Sequence, residues 1–241
     1  MSKEIYKLQS ILFMECCSCI KEKWRWLWSL DPIDKEGDCN DPVKRFLTGA
    51  KVTSVCRFNA SLRIALVSKI SFLTTTLFSL GLILIPLLQM ILKNSVFSEQ
   101  TLSVVQIFLA VSVLVYSTII STAKYDVRAK ELDKCGIDIK SIIRDIRAEP
   151  NKDNISLEKY SNKYDEIIKN CENHSRSDYK KAQLYLVEYF NITGIKRLYF
   201  RLNILFNELI PYIAPFILVG LEISFLLDMI GITKIFVTYF K

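Results

Sequence analysis

Hydrophobic residues in this chain are gathered into blocks. Ile70–Leu92 runs for 23 residues without a charge, and Thr101–Ala123 for another 23. About 20 apolar helical residues cross the hydrocarbon core of a bilayer. Each run is long enough to span once, and the eight residues Lys93–Gln100 between them suffice for a turn. The pattern predicts a transmembrane helical hairpin over about 66–92 and 101–123. Fourteen residues of the first run are Leu, Ile or Phe. At roughly 0.3–0.6 kcal/mol each they favour insertion by ~4–8 kcal/mol before polar residues are subtracted.

After the second run the period changes. Tyr125, Ala129, Leu132, Gly136, Ile139, Ile143 and Ile146 alternate steps of 4 and 3, a heptad seam. It predicts a stalk helix continuing out of the second span, partnered by the same chain or by another copy. Glu149-Pro150 ends it, because proline disfavours helix in the residue before it. Another helix is expected from near Ser156. A last apolar run, Leu209–Leu227, carries Glu222, Pro211, Pro215 and Gly220. It reads as a third span or an interfacial helix; if it spans, Glu222 is an intramembrane acid at an ion path or a packing switch.

Polar residues within the spans follow the helical period. Ser71, Thr75, Ser79, Pro86 and Gln89 mark one face of the first, and Ser103, Gln106, Ala110, Ser117 and Ser121 one face of the second. Small and hydroxyl residues let membrane helices approach closely. Packing of the two helices on each other is the plainer reading. Lining of an opening when copies assemble is the sharper one.

Charge gives the hairpin a direction. The chain carries a formal +7, and Val43–Lys69 holds Lys44, Arg45, Lys51, Arg57, Arg63 and Lys69 with no acid. Lys93 is the loop's one basic residue, and Lys124, Arg128, Lys130 and Lys134 follow the second span. By the positive-inside rule both hairpin ends, with residues 124–203, face the cytoplasm. A basic run abutting a span points to the lipid surface rather than to nucleic acid. The N-terminus lacks a signal-peptide pattern, so the first span would serve as the insertion signal.

With 7 glycines and 6 prolines the chain reads as all-α. The expected organisation is an amphipathic, Trp-rich segment with its linker (1–42), a hairpin and stalk (43–147), a cytosolic helical region (148–203) and a hydrophobic tail (204–241). Trp24, Trp26 and Trp28 suit an interfacial anchor or a small satellite core. Cys16, Cys17, Cys19 and Cys39 lack the paired spacing of a zinc site, and an odd total of 7 cysteines outside a secretory context speaks against a disulfide framework. With one histidine, His174, and no phosphate-binding glycine loop, no enzyme, metal site or cofactor is expected.

Three stretches, taken in order, carry a resemblance. They are Thr53-Ser-Val-Cys-Arg57-Phe-Asn59-Ala60-Ser-Leu62-Arg63 before the hairpin, Tyr125-Asp-Val-Arg128-Ala129-Lys-Glu-Leu132-Asp-Lys-Cys135-Gly136-Ile137 after it, and Tyr164-Asp-Glu-Ile-Ile168 with Glu172-Asn173-His174-Ser-Arg-Ser-Asp178-Tyr179. Over about Thr48 to Tyr189 the chain resembles the SLATT family, the SMODS- and SLOG-associating two-transmembrane effectors of bacterial conflict systems. The third stretch looks most like the branch found beside reverse transcriptases. The resemblance implies an antiviral effector of the inner membrane, held quiet until a partner senses infection, then oligomerising to breach the bilayer. The implied partners are lipid, further copies of the chain, and a cytosolic regulator such as a reverse transcriptase with its nucleic acid or a nucleotide-signal system, without direct nucleic-acid binding by this chain. Arg57, Arg63, Tyr125 and Arg128 at the hairpin mouths are candidates for coupling the soluble part to the spans, or simple interface anchors. Asn173, His174 and Asp178 are candidates for a regulatory contact, or a helix-cap network. The alternative function is a membrane scaffold whose stalk recruits a cytosolic enzyme.

Overall fold

A computed structural model describes residues 41–91, 97–150 and 156–237. The N-terminal Trp and Cys segment lies outside the described residues. All regular elements among those described are helices: α1 (Pro42–Ile91), α2 (Glu99–Ala123), α3 (Tyr125–Ala148), α4 (Leu157–Lys169), α5 (Arg176–Tyr185) and α6 (Gly194–Ile230). Among the described residues three helical runs are long and apolar enough to cross a membrane: α1, α2 with α3, and α6. The tail thus supplies a third candidate span. Pro211 and Pro215 lie inside α6, as membrane helices tolerate where neighbours satisfy the freed carbonyls.

The helix ends follow local chemistry. Pro42 opens α1, where its missing N–H costs nothing, and Asp41 Oδ1 accepts from Val43 N at 3.0 Å. Ser98 caps α2 by accepting from Thr101 N at 3.2 Å. The expected unbroken passage from second span to stalk is interrupted at Lys124, a left-handed residue with φ 46°. Thr118 and Thr122 hydroxyls bond back onto their own helix just before it, a geometry that bends helices. Arg128 N donates to Lys124 O at 3.1 Å, so α3 restarts at once.

The chain divides into two compact units. The first comprises residues up to Asn59 and Lys134–Phe206. Its cores are Val52, Cys56, Ala182, Leu186, Phe190 and Ile192, and Ala50, Cys135, Ile139 and Ile143 under Leu47, Tyr164 and Ile167. Phe58 lies on Gly136, and Lys140 Nζ sits 4.2 Å from the centre of the Phe58 ring.

The second unit comprises Ala60–Asp133 and the chain from Asn207. Ala60 and Ile64 of α1 pack on Ala129 and Leu132 of α3. Further along, Phe78 and Ile85 of α1, Leu102 and Leu109 of α2, and Phe225 and Met229 of α6 share one core with Phe97. Asp228 is fully buried and ties down the chain after α6, accepting from Thr233 Oγ1, Ile235 N and Val237 N.

The heptad seam is real: Ala129, Leu132, Gly136, Ile139, Ile143 and Ile146 are buried and Tyr125 is half-buried. In each unit the seam residues pack on this same chain, on α1 and, in the first unit, on α4 as well.

Candidate functional site

In the first unit a polar node forms around Arg57, which is 2 % exposed. Helical periodicity on α1 sets Thr53, Cys56, Arg57 and Asn59 along one turn and a half. The guanidinium Nη1 donates to the Glu172 carbonyl, while Nε has no hydrogen-bond partner. Asn59 Nδ2 donates to the Asp178 carbonyl at 3.2 Å, and the Tyr164 hydroxyl pairs with Thr53 Oγ1 at 3.0 Å. Asp178 is fully buried at the start of α5. Ser175 and Asp178 there form a reciprocal cap: Ser175 N donates to Asp178 Oδ2 at 2.9 Å, and Asp178 N to Ser175 Oγ at 3.3 Å. The helix-cap reading of Asp178 is therefore what the structure contains, and its carbonyl also meets α1.

His174 lies half-buried beside this cap, its Nδ1 unpartnered. Burial, reinforced by the Arg57 charge, holds its imidazole below the ordinary histidine value, with Asp178 opposing. Asn173 is exposed, and its Oδ1 accepts from the His174 backbone N–H. Burial pushes the Cys56 and Cys135 thiols up to about 12, so neither is a thiolate nucleophile at neutral pH. No group of three or more candidate metal ligands occurs among the described residues. The node is a buried charge with a carbonyl partner, near the α5 cap and the Tyr164–Thr53 pair.

Of the coupling candidates, Arg57 joins this node with His174 and Asp178, a convergence across more than a hundred residues. Arg63, Tyr125 and Arg128 belong to the second unit. There Arg128 stacks 5.9 Å from the Tyr125 ring centre, and Ser61 Oγ donates to the Ala129 carbonyl at 2.8 Å.

The span stripes divide. Gln89 and Gln106 meet at 3.2 Å, an interhelical hydrogen bond between α1 and α2. Thr75 and Ser79 are half-buried and bond their own helix carbonyls, with Ser71 half-buried beside them. In the part of α1 that belongs to the second unit, Ser61, Ser68 and Thr74 are the buried polar residues. Ser103, Ser117 and Ser121 face outward with Thr118 and Thr122. Only 6 % of the most apolar window of the α2 run is buried, against 22 % for α1 and 28 % for α6.

Glu222 is buried on α6, and neither carboxylate oxygen has a hydrogen-bond partner. It lies against Gly81 of α1, where an added Cβ would coincide with Oε1. Sequence periodicity did not find Gly81, because a glycine in an apolar helix carries no phase signal. The Tyr164–Thr53 bond was equally hidden, since 111 residues separate its members.

Against known families, the model of SMODS and SLOG-associating 2TM effector domain family 5 matches residues 41–225. No curated protein and no solved structure matches the chain.

Proposed function

The chain belongs to family 5 of the SMODS and SLOG-associating two-transmembrane effector domains, a membrane-effector family of defence systems, and on that premise we propose that copies of it assemble in the bacterial inner membrane and breach it during antiviral defence. The observation that carries the reading is the outward face of α2. It is almost wholly uncovered by the chain's own helices, and it presents Ser103, Ser117, Thr118, Ser121 and Thr122 along an otherwise apolar span. Hydroxyl and small residues permit close helix approach in lipid, where packing and hydrogen bonding drive association. Both hairpin ends face the cytoplasm by the distribution of basic residues. The Arg57 node then receives the signal from a cytosolic regulator, such as a reverse transcriptase with its nucleic acid or a nucleotide-signal system.

The scaffold alternative needs a stalk free to recruit an enzyme. The seam positions of α3 are already filled by α1 and α4 of the same chain, which favours the effector reading.

The test is expression in bacterial cells carrying a voltage-sensitive dye, with and without the neighbouring genes of the native locus. The proposal expects depolarisation when the chain is expressed alone or when its regulator is triggered. It also expects Ser117→Lys, on the outward face of α2, to suppress depolarisation at equal membrane abundance. Normal potential under every condition at high expression would overturn the proposal.

A further inference from the structure

Two cysteines distant in the chain meet in the first unit. Cys135 stands on α3 and is 1 % exposed; Cys171 follows the end of α4 and is half-buried. Cys135 shares a core with Ala50, Ile139 and Ile143, and Cys171 packs against that core beside Tyr164 and Ile167. Both are free thiols, and a hydrogen bond joins them. A lone buried cysteine packs as a small hydrophobe. A second thiol in contact with it adds a reaction, because the sulfurs stand a short side-chain movement from the ~2 Å separation of a disulfide.

The two thiols differ in access. Cys135 is enclosed, and burial, reinforced by its bond to Cys171, pushes its thiol up to about 12, so it keeps its proton at neutral pH. Cys171 reaches the surface in part. Its backbone N–H donates to the Ile168 carbonyl at 3.2 Å, in the turn that closes α4. The next residue, Glu172, accepts from Arg57 through its carbonyl. The segment that carries the reachable thiol therefore also holds the buried guanidinium.

We propose that Cys135 and Cys171 form an oxidation site, which an oxidant of the peroxide class closes to a disulfide that fixes the end of α4 to α3 beside the Arg57 node. The deprotonated Cys171 sulfur attacks one peroxide oxygen. The O–O bond breaks, the leaving hydroxide takes up a proton to become water, and Cys171 becomes a sulfenic acid. The Cys135 sulfur then attacks the Cys171 sulfur. The S–S bond forms, the S–O bond breaks, and hydroxide departs as water with the proton that Cys135 held. Two thiols lose two electrons in all, and one peroxide is reduced to two waters. Cys135 stays protonated until the second step, so the pair rests as the dithiol and oxidation begins at the reachable partner. Disulfides on the cytoplasmic side, to which the basic residues assign this unit, are usually transient and report oxidation. The chemistry of the pair does not depend on membrane assembly.

The experiment treats the reduced full-length chain in detergent micelles with hydrogen peroxide, then denatures, alkylates and digests it for mass spectrometry. The parent chain is expected to yield two peptides linked through Cys135 and Cys171, lighter by two hydrogens than the reduced pair and separated again by dithiothreitol. Folding holds the thiols together, so the link should form faster by about tenfold or more in micelles than in chain unfolded by strong denaturant. Cys56, buried in a separate core, should remain alkylatable after denaturation. Cys135→Ser cannot close the link, and there Cys171 is expected to stop at the sulfenic acid, trapped by dimedone; absence of that adduct would overturn Cys171 as the point of attack. The parent measurement needs no variant, so it decides the matter even if Cys135→Ser fails to fold. Linkage at equal rates in folded and unfolded chain, Cys171 paired mainly with another cysteine, or both thiols left unmodified while other cysteines oxidise would overturn the proposal.

Discussion

Gly136→Ala tests whether the stalk seam is closed by this chain itself. A Cβ built on Gly136 lies 2.8 Å from Phe58 Cζ and 2.9 Å from Cε1. Ordinary carbon contacts fall at about 3.5–4.0 Å, so the ring must retreat by about 0.7 Å. Phe58 is half-buried and can move outward, but Lys140 lies over its face. Overpacking of this kind costs about 1–3 kcal/mol, and shifting the ring from under the ammonium forfeits about 0.5–1 kcal/mol. Alanine regains about 0.8–1.0 kcal/mol of helix propensity. The balance is about 0.5–3 kcal/mol against the variant. For a chain of this length each kcal/mol moves the unfolding midpoint by about 2–4 °C. Thermal unfolding followed by circular dichroism in detergent micelles should show a lower midpoint. In a Phe58→Leu background, where the clash is gone, the same substitution should be neutral or stabilising. A raised midpoint in the parent, or the same effect in both backgrounds, would refute the contact and return the seam to the pool of free docking surfaces.

Other consequences follow from the same geometry. Asp178→Ala removes the reciprocal cap of α5 and should lower stability by about 1–2 kcal/mol, read as a lower thermal midpoint; a change under about 0.5 kcal/mol would contradict the cap. His174 is held below its unfolded value of 6.5, so the unfolded chain binds more protons in that window. The stability it contributes is present above 6.5 and is lost as pH falls through the lowered value. The midpoint should therefore fall between about pH 7.5 and pH 5, and His174→Gln should flatten that part of the profile. Lys124→Gly relieves a left-handed side chain and should stabilise by about 1 kcal/mol, whereas Lys124→Ala should not; equal effects from the two would argue against the break.

The helices were legible where periodicity and punctuation agree. Two uncharged runs, a heptad seam and Glu149-Pro150 set the hairpin and the stalk, and Ser156 stands at the start of α4 as expected. The break at Lys124 was not legible, because lysine carries none of the sequence signal that glycine gives a left-handed residue. The site was partly legible. Arg57, His174 and Asp178 stood out singly, one as a basic residue near the hairpin and two within a polar run. Their meeting depends on how α1 and α5 pack, which one-dimensional spacing does not encode. How deeply the polar residues of α1 are buried was not legible: Ser68 and Thr74 are buried while Ser71, Thr75 and Ser79 are half-buried, a difference set by tertiary packing. Gly81 and Glu222 illustrate the same limit: the acid was conspicuous, and the glycine that houses it was not.

Ion flux through purified chain in sealed lipid vesicles tests the central claim most directly. Vesicles loaded with potassium and a voltage-sensitive dye are compared across a range of protein-to-lipid ratios. Assembly through the α2 face predicts flux that rises more steeply than in proportion to protein and is suppressed by Ser117→Lys. Vesicles that stay sealed at every ratio would contradict it.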